Sequence, residues 1–195
     1  MDANRARHSR RSVMNYCSRC GTPLVYRTPS GDNRPRFVCE TCRTVHYENP
    51  KLVVGSIPEW QGRILLCRRS IDPRSGKWTL PAGFLENGET VSQGAAREAL
   101  EEAGARLTDL VPFAMFNIPY VNQVHLMFRA KLEDPHVWAG PESLEVGFFE
   151  EEGIPWNELA FPVVKETLKL FFLDRDRGFR CFHLGDIPPI SLDEF

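Results

Sequence analysis

The chain has 195 residues, of which 42% are hydrophobic and 26% are charged, and this composition is typical of a soluble globular protein. Its length suffices for one α/β domain and a small additional segment. A net charge of −2 gives no indication of a protein built around nucleic acid or a membrane surface. No apolar run approaches the roughly 20 residues that a transmembrane helix needs. We therefore expect a cytoplasmic protein without a membrane partner.

Residues 1–14 are basic and polar, and they lack the hydrophobic core of a secretory signal. We predict a flexible basic tail. Two alternatives are an organelle presequence, for which the segment is short and poorly amphipathic, and translation that begins at Met14.

Residues 15–48 contain two cysteine pairs in a segment rich in turn-forming residues, with short β-prone stretches at 24–27 and 36–38. The pairs, Cys17-x2-Cys20 and Cys39-x2-Cys42, are separated by 18 residues. Two such knuckles can direct four thiolates at one tetrahedral ion, and zinc is favoured over iron. Because all four positions are filled by protein, we predict a structural Zn²⁺ in a zinc ribbon and no catalytic water there. The other two cysteines, Cys67 and Cys181, stand alone.

From residue 49 the pattern changes to longer apolar stretches with β-branched residues, and two segments have helical composition. This predicts an α/β or α+β sandwich over residues 49–178, followed by a C-terminal tail over 179–195. The predicted strands are 52–57, 63–68, 78–80, 110–116, 124–130 and 144–149, and the predicted helices are 90–103 and 163–173. A Gln-Gly turn at 61–62 is predicted to join the first two strands.

The first predicted helix carries three carboxylates on one face. Glu98, Glu101 and Glu102 are spaced i, i+3 and i+4, so their side chains project together. Like charges at this spacing destabilise a helix, but hard oxygen ligands with an incomplete protein shell suit Mg²⁺, which shares its coordination with water and phosphates. The alternative is a solvated acidic helix, which a bare Glu-Glu pair would favour.

Fixed offsets around this helix remove most of that ambiguity. Gly83, Glu89 and Arg97 precede the acidic group, and together the segment 83–105 resembles the Nudix box, Gly-x5-Glu-x7-Arg-Glu-U-x-Glu-Glu-x-Gly-U, where U is apolar. Every fixed position is matched. The U positions are Ala99 and Ala105, smaller than the usual aliphatic residues, which affects packing and leaves the chemistry unchanged.

The resemblance implies an α/β fold, a Nudix α/β/α sandwich with a mixed sheet, preceded by the small zinc ribbon. It also implies hydrolysis of a nucleoside diphosphate linked to another group, with Mg²⁺ or Mn²⁺ as the cofactor. Carried over by position, Glu98 and Glu102 are the main metal ligands and Glu101 assists. A backbone carbonyl near Ala82 or Gly83 completes the inner shell.

Two further roles follow from the same resemblance. Arg97 and Glu89 form an ion pair that holds the loop and the helix in register. Members of the family often take one more carboxylate from a distant loop, and Glu142 is our first choice for it, with Glu145 second. Either could instead be a solvated residue at a strand edge.

The expected substrate is argued from the loop between the predicted strands 110–116 and 124–130. Zinc-ribbon Nudix proteins include NADH pyrophosphatases, which carry a Ser-Gln-Pro-Trp-type motif after the box, and no such motif occurs here. The chain more closely resembles a ribbon-bearing group with ADP-ribose and FAD pyrophosphatase activity. Phe116, Tyr120, Asn122 and Gln123 could stack on and hydrogen-bond a base, although aromatic residues near a sheet are more often core. The expected partner is therefore a nucleotide-derivative small molecule, in the order ADP-ribose or FAD, then NADH, then others.

A different class of function is a nucleotide sensor or nucleic-acid-binding protein, which the ribbon and the basic tail invite. The intact box and the absence of a helix-turn-helix argue against it, and so do the acidic residues that dilute the ribbon's arginines. We therefore do not expect a nucleic-acid partner. The ribbon could also act as a lid or a dimerisation element, and the family is often a homodimer.

Overall fold

The computed structural model describes residues 14–178 and 181–189. The fold separates into two compact units with the boundary between Pro50 and Lys51. Within the described residues no helix is both long and apolar enough to cross a bilayer.

The N-terminal unit is a three-stranded antiparallel sheet with the order β1-β2-β3. Its strands are β1 (Val25–Arg27), β2 (Arg36–Val38) and β3 (Val45–His46). The first two were predicted, whereas the two-residue β3 gave no recognisable pattern. Tyr26 and Phe37 pack ring against ring at 5.0 Å, but few other large apolar groups are present, so this unit depends on its cysteines for cohesion.

The second unit contains eight further strands and two helices among the described residues. These are β4 (Lys51–Trp60), β5 (Arg63–Arg69), β6 (Trp78–Thr79), β7 (Ala82–Phe84), α1 (Val91–Ala103), β8 (Leu107–Ile118), β9 (Gln123–Leu132), β10 (Ser143–Phe149), α2 (Pro162–Arg177) and β11 (His183–Asp186). The predicted turn between β4 and β5 is present, and Gln61 and Gly62 both have positive φ angles of 50° and 81°, as two-residue hairpins require.

The sheet of this unit has the order β10-β5-β4-β9-β8-β11, with β6 paired to β5 and β7 paired to β4. The β4–β9 and β8–β11 pairs are parallel, and the other pairs are antiparallel. The sheet is therefore mixed, as predicted.

The two helices cover opposite faces of the sheet. Along β5, Ile64 and Leu66 belong to the core cluster that α2 completes, whereas Leu65 and Cys67 belong to the cluster that includes Ala99 of α1. Successive side chains of a strand point to opposite faces, so each helix has its own side. The predicted α/β/α sandwich is confirmed.

Local chemistry fixes both ends of α1. Thr90 and Gln93 form a reciprocal capping box at the N-terminus, and Gly104 ends the helix with a left-handed φ of 60°. Ala95 and Ala99 are fully buried, and their small side chains let the helix lie close to the sheet. This closeness determines which carboxylates of α1 face inward.

One finding differs from expectation. Within the segment predicted as a C-terminal tail, His183–Asp186 forms β11 and pairs in parallel with β8. Four residues that include a glycine have too little alternation to be recognised as a strand.

Candidate active site and structural metal centre

The helix α1 separates its three box carboxylates by burial. Glu98 is 9% exposed and Glu102 is 7% exposed, so both lie against the sheet side of the helix. The side chain of Glu101 is 58% exposed. The structure therefore brings two of the three predicted ligands into the interior and leaves the third at the surface.

Arg97 ties the box together through its guanidinium. Its Nε donates to Glu89 Oε2 at 3.0 Å, and its Nη2 donates to Glu89 Oε1 at 2.8 Å and to the carbonyl of Phe84 at 3.1 Å. Its Nη1 donates to Glu98 at 2.8 Å and to Glu101 at 3.0 Å. The hydrogen bonds from Arg97 lower the pKa of Glu89 to about 2. The loop and the helix are thus held in register by one side chain.

The two inner carboxyl groups are held in an environment that opposes their ionisation, although Glu98 accepts a hydrogen bond from Arg97. Burial, followed by the charge of Glu98, raises the pKa of Glu102 to about 8. Burial likewise raises the pKa of Glu98 against the opposing effect of Arg97. A pair of buried carboxyl groups that resist ionisation is the environment in which a divalent cation is strongly stabilising.

Strand β7 lies directly beside these carboxylates. The backbone N–H of Ala82 donates to Glu102 Oε2 at 3.3 Å. At Gly83 a β-carbon would overlap the carboxylate of Glu98. Only glycine leaves room for that carboxylate. Strand β7 and helix α1 therefore approach each other closely at Gly83 and Glu98.

The two distant carboxylates have different surroundings. The charge of Glu142 contributes to the raised pKa of Glu98 and of Glu102, so its carboxylate belongs to the same electrostatic cluster. Glu145, in contrast, pairs with Arg68 Nη1 at 2.9 Å on a half-exposed part of β10. Glu142 is the better placed of the two to act with the box.

A cavity of about 370 Å³ opens beside β7 and includes Ala82 and Gly83 in its lining. Its polar and aromatic lining comprises Arg69, Arg74, Phe84, Tyr120, Gln123, His125 and Phe161. A pocket of this size with apolar walls and a few polar groups is typical of a small-molecule site.

Two of the predicted substrate residues, Tyr120 and Gln123, line this cavity. Phe116 is 4% exposed and packs in the core on the α2 side of the sheet, so the structure does not bring it to the pocket. Asn122 caps a 3-10 turn with a left-handed φ of 54°. The turn explains why Tyr120 and Gln123 face the cavity together.

Sequence reasoning missed three polar residues of the pocket, Arg69, Arg74 and His125. Burial lowers the pKa of His125 to about 4, so its imidazole is neutral at pH 7, and its Nε2 lies 3.0 Å from Gln123 Oε1. Arg69 stacks over the ring of Phe161 at 5.1 Å. A basic loop directly before the box was the one signal that could have indicated the two arginines.

In the N-terminal unit the four paired cysteines converge, and their sulfur atoms all lie within 4.8 Å of one another. The sulfur atoms of Cys17 and Cys42 are 3.6 Å apart, and those of Cys20 and Cys39 are 3.4 Å apart. A tetrahedral zinc ion with Zn–S bonds of about 2.3 Å has S···S edges of about 3.8 Å, so the four thiols fit zinc. Gly21, with a φ of 74°, turns the chain directly after the first knuckle.

Comparisons with known proteins agree with this architecture. The family described as "Nudix N-terminal", a zinc ribbon, matches residues 15–48, and the family described as "NUDIX domain" matches residues 51–171. The chain therefore belongs to the Nudix hydrolase family, in the group that carries an N-terminal zinc ribbon.

Among its relatives is the NAD-capped RNA hydrolase NudC of Salmonella heidelberg (strain SL476), which is 30% identical over 143 residues, or 72% of this chain and 53% of that protein. NudC of Vibrio vulnificus (strain CMCP6) is 37% identical over 120 residues, or 60% of this chain and 43% of that one. The chain thus spans about half the length of these curated relatives. A crystal structure of a Nudix hydrolase from Nitrosomonas europaea is 51% identical, with a TM-score of 0.86, and the match covers 89% of this chain and 99% of that one.

Proposed function

We propose that this protein hydrolyses the pyrophosphate bond of a nucleoside diphosphate linked to another group, with ADP-ribose or FAD as the first candidates and AMP as a product. The observation that carries the proposal is the pair of buried carboxylates, with Glu98 beside Gly83 and Glu102 beside Ala82, where these two residues of β7 line a ligand-sized cavity. The cofactor is Mg²⁺ or Mn²⁺, held by these carboxylates with Glu101 and Glu142 at the periphery.

The division of labour among the residues follows from their contacts. A divalent ion, when bound here, would neutralise phosphate charge and lower the pKa of a coordinated water. Glu98 and Glu102 hold the ion, and Arg97 fixes the orientation of Glu98 through their 2.8 Å contact. Arg69 and Arg74 in the cavity wall add positive charge for the second phosphate. Each of these groups acts by position and charge, which is what phosphoryl transfer requires.

The choice of substrate rests on the cavity. Phe84, Phe161 and Tyr120 offer apolar and aromatic surface for a planar base. The neutral His125 and its partner Gln123 offer hydrogen-bonding groups without net charge. An uncharged heterocycle such as adenine is compatible with this lining. Arg69 and Arg74 line the same cavity and provide positive charge for the diphosphate.

A second candidate is hydrolysis of NAD(H) or of an NAD cap. The observation that favours it is the similarity to proteins named NAD-capped RNA hydrolase. The lack of the Ser-Gln-Pro-Trp-type motif argues against it, and so does the limited coverage of those relatives. A homodimer, expected from the family, stays a prediction that analytical ultracentrifugation can check.

The test is a substrate panel of ADP-ribose, FAD, NADH, NAD-capped RNA and nucleoside triphosphates, with Mg²⁺ and with products separated by chromatography. We expect AMP with ribose 5-phosphate from ADP-ribose, or AMP with FMN from FAD, at higher kcat/KM than for NADH. A clear preference for NADH or the capped RNA would support the second candidate. Binding of any of these ligands without turnover would contradict the enzyme proposal and favour the sensor.

A further inference from the structure

A second group of metal-ligating side chains lies outside the active site. Asp174, near the end of α2, Cys181, and His183, at the start of β11, bring a carboxylate, a thiol and an imidazole within 4.8 Å of one another. The His183 Nε2 is 3.0 Å from Asp174 Oδ2 and 3.6 Å from the Cys181 sulfur, and that sulfur is 3.8 Å from Asp174 Oδ2.

These separations match three edges of a zinc tetrahedron. With bonds of about 2.3 Å to sulfur and about 2.0 Å to nitrogen and oxygen, the S···N and S···O edges are about 3.5 Å and the N···O edge is about 3.3 Å. The four cysteines of the ribbon have the ligand set of a structural zinc site. Their sulfur atoms are separated by similar distances, 3.4 and 3.6 Å. The three donors are therefore already at coordination distance without further movement of the backbone.

The surroundings fix the carboxylate in place. Asp174 is 3% exposed, and Arg129 Nη2 donates to its Oδ2 at 2.7 Å. The Arg129 guanidinium is itself stacked over Phe113 at 4.4 Å and Phe171 at 5.2 Å. The oxygen that accepts from Arg129 is the same Oδ2 that faces His183 and Cys181, and a carboxylate oxygen has a second lone pair that can bind a metal ion. The arginine then acts as the partner that orients a metal ligand.

The imidazole is also oriented by packing. His183 meets Phe113 edge to face at 5.1 Å, and its backbone is fixed by the parallel pairing of β11 with β8. The competing arrangement is a plain ion-pair network of Arg129, Asp174 and His183. That network needs no thiol, yet Cys181 lies within reach of both of the other groups.

We propose that Asp174, Cys181 and His183 bind a second zinc ion, separate from the ribbon and from the active-site metal. Three protein ligands leave the fourth position to water or an external ligand, and binding releases the thiol proton of Cys181. The ion fastens the start of β11 to α2. Four residues further along, Ile187 lines the substrate cavity, so this site also holds one wall of that cavity in place.

The test is the zinc content of the protein after equilibration with Zn²⁺ in a large excess of Mg²⁺, which keeps the active-site carboxylates occupied, and after removal of unbound Zn²⁺, measured by inductively coupled plasma mass spectrometry. We expect about two zinc ions per chain in the unmodified protein and about one in Cys181→Ala. The matched control is His136→Ala, because His136 and Asp134 form a His–Asp contact of the same 3.0 Å, and within residues 14–178 and 181–189 this pair belongs to no group of three metal-ligating side chains. This control is expected to keep both ions.

Cobalt provides an independent measurement on the same proteins. With the same excess of Mg²⁺, Co²⁺ titration of the unmodified chain is expected to give two steps. One of these steps should be absent from Cys181→Ser, because this substitution removes the thiolate ligand with little change of side-chain volume. A single zinc ion in the unmodified protein, or an unchanged zinc content and cobalt titration in both Cys181 variants, would overturn the proposal.

Discussion

Replacing Gly83 with alanine is expected to disable the active site without unfolding the protein. A β-carbon at this position would overlap the carboxylate of Glu98. The backbone at Gly83 has no left-handed φ, so alanine is acceptable to the chain itself. The conflict is therefore confined to the contact between β7 and one buried carboxylate of α1.

The size of the effect follows from the geometry. Non-bonded carbon contacts are most favourable at about 3.5 Å, and restoring such a separation requires the Glu98 carboxylate to move by about 1 Å. A displacement of about 1 Å in a catalytic arrangement costs about 100-fold in rate. The Arg97 contact to Glu98, 2.8 Å long, would be stretched by the same shift. We expect a fall of about 100-fold in kcat and a higher Mg²⁺ concentration for half-maximal rate.

The assay is hydrolysis of ADP-ribose, or of the best substrate in the panel, over a range of Mg²⁺ concentrations. Gly153→Ala is the matched control, because a β-carbon there meets nothing within 4 Å, and its kinetics are expected to equal those of the unmodified protein. Circular dichroism would verify that both variants are folded. A Gly83→Ala enzyme with unchanged kcat and unchanged Mg²⁺ dependence would refute the placement of the metal site beside this strand.

Three further predictions concern protons, the guanidinium and the ribbon. Without Mg²⁺, the melting temperature is expected to fall as the pH rises from about 5 to 8, because Glu102 has a pKa of about 8 in the folded protein and about 4.5 in the unfolded chain. Saturating Mg²⁺ or the substitution Glu102→Gln should remove this fall. A melting temperature that does not change with pH in the metal-free protein would contradict the prediction. Arg97→Lys keeps the positive charge but loses the paired hydrogen bonds to Glu89, so hydrolytic activity should fall by about 10- to 100-fold. Kinetic constants within about twofold of the unmodified enzyme would argue against the role of Arg97 in orienting the carboxylates. Cys17→Ser should reduce the zinc content by about one ion per chain and make the ribbon sensitive to limited proteolysis. Retention of the full zinc content would exclude the four-thiolate site.

Features that depend on short, local spacing could be predicted from the sequence. The knuckles Cys17-x2-Cys20 and the acidic face of α1 are encoded within a few residues, and Thr90 and Gly104 provide the chemistry that starts and ends the helix. Such signals do not depend on how distant parts of the chain meet. The ribbon, the box helix and the hairpin between β4 and β5 are therefore recognisable from the sequence alone.

Features that depend on distant parts of the chain could not be predicted in this way. Phe116 and Tyr120 have similar chemistry and lie four residues apart, yet one is core and the other lines the cavity. The 3-10 turn between β8 and β9, which no residue pattern indicated, determines this difference. Likewise, His125 acquires its depressed pKa only from burial, and β11 reaches the sheet by pairing with a strand far earlier in the chain.

The central claim is that Glu98 and Glu102 jointly hold the catalytic divalent ion. Anomalous diffraction from a crystal equilibrated with Mn²⁺, recorded near the manganese absorption edge, tests this claim most directly. We predict a manganese peak within about 2.0–2.4 Å of a carboxylate oxygen of each of the two residues, and loss of that peak in the Glu98→Gln/Glu102→Gln double variant. A manganese peak elsewhere on the protein, with both carboxylates unliganded in a folded and active enzyme, would contradict the account.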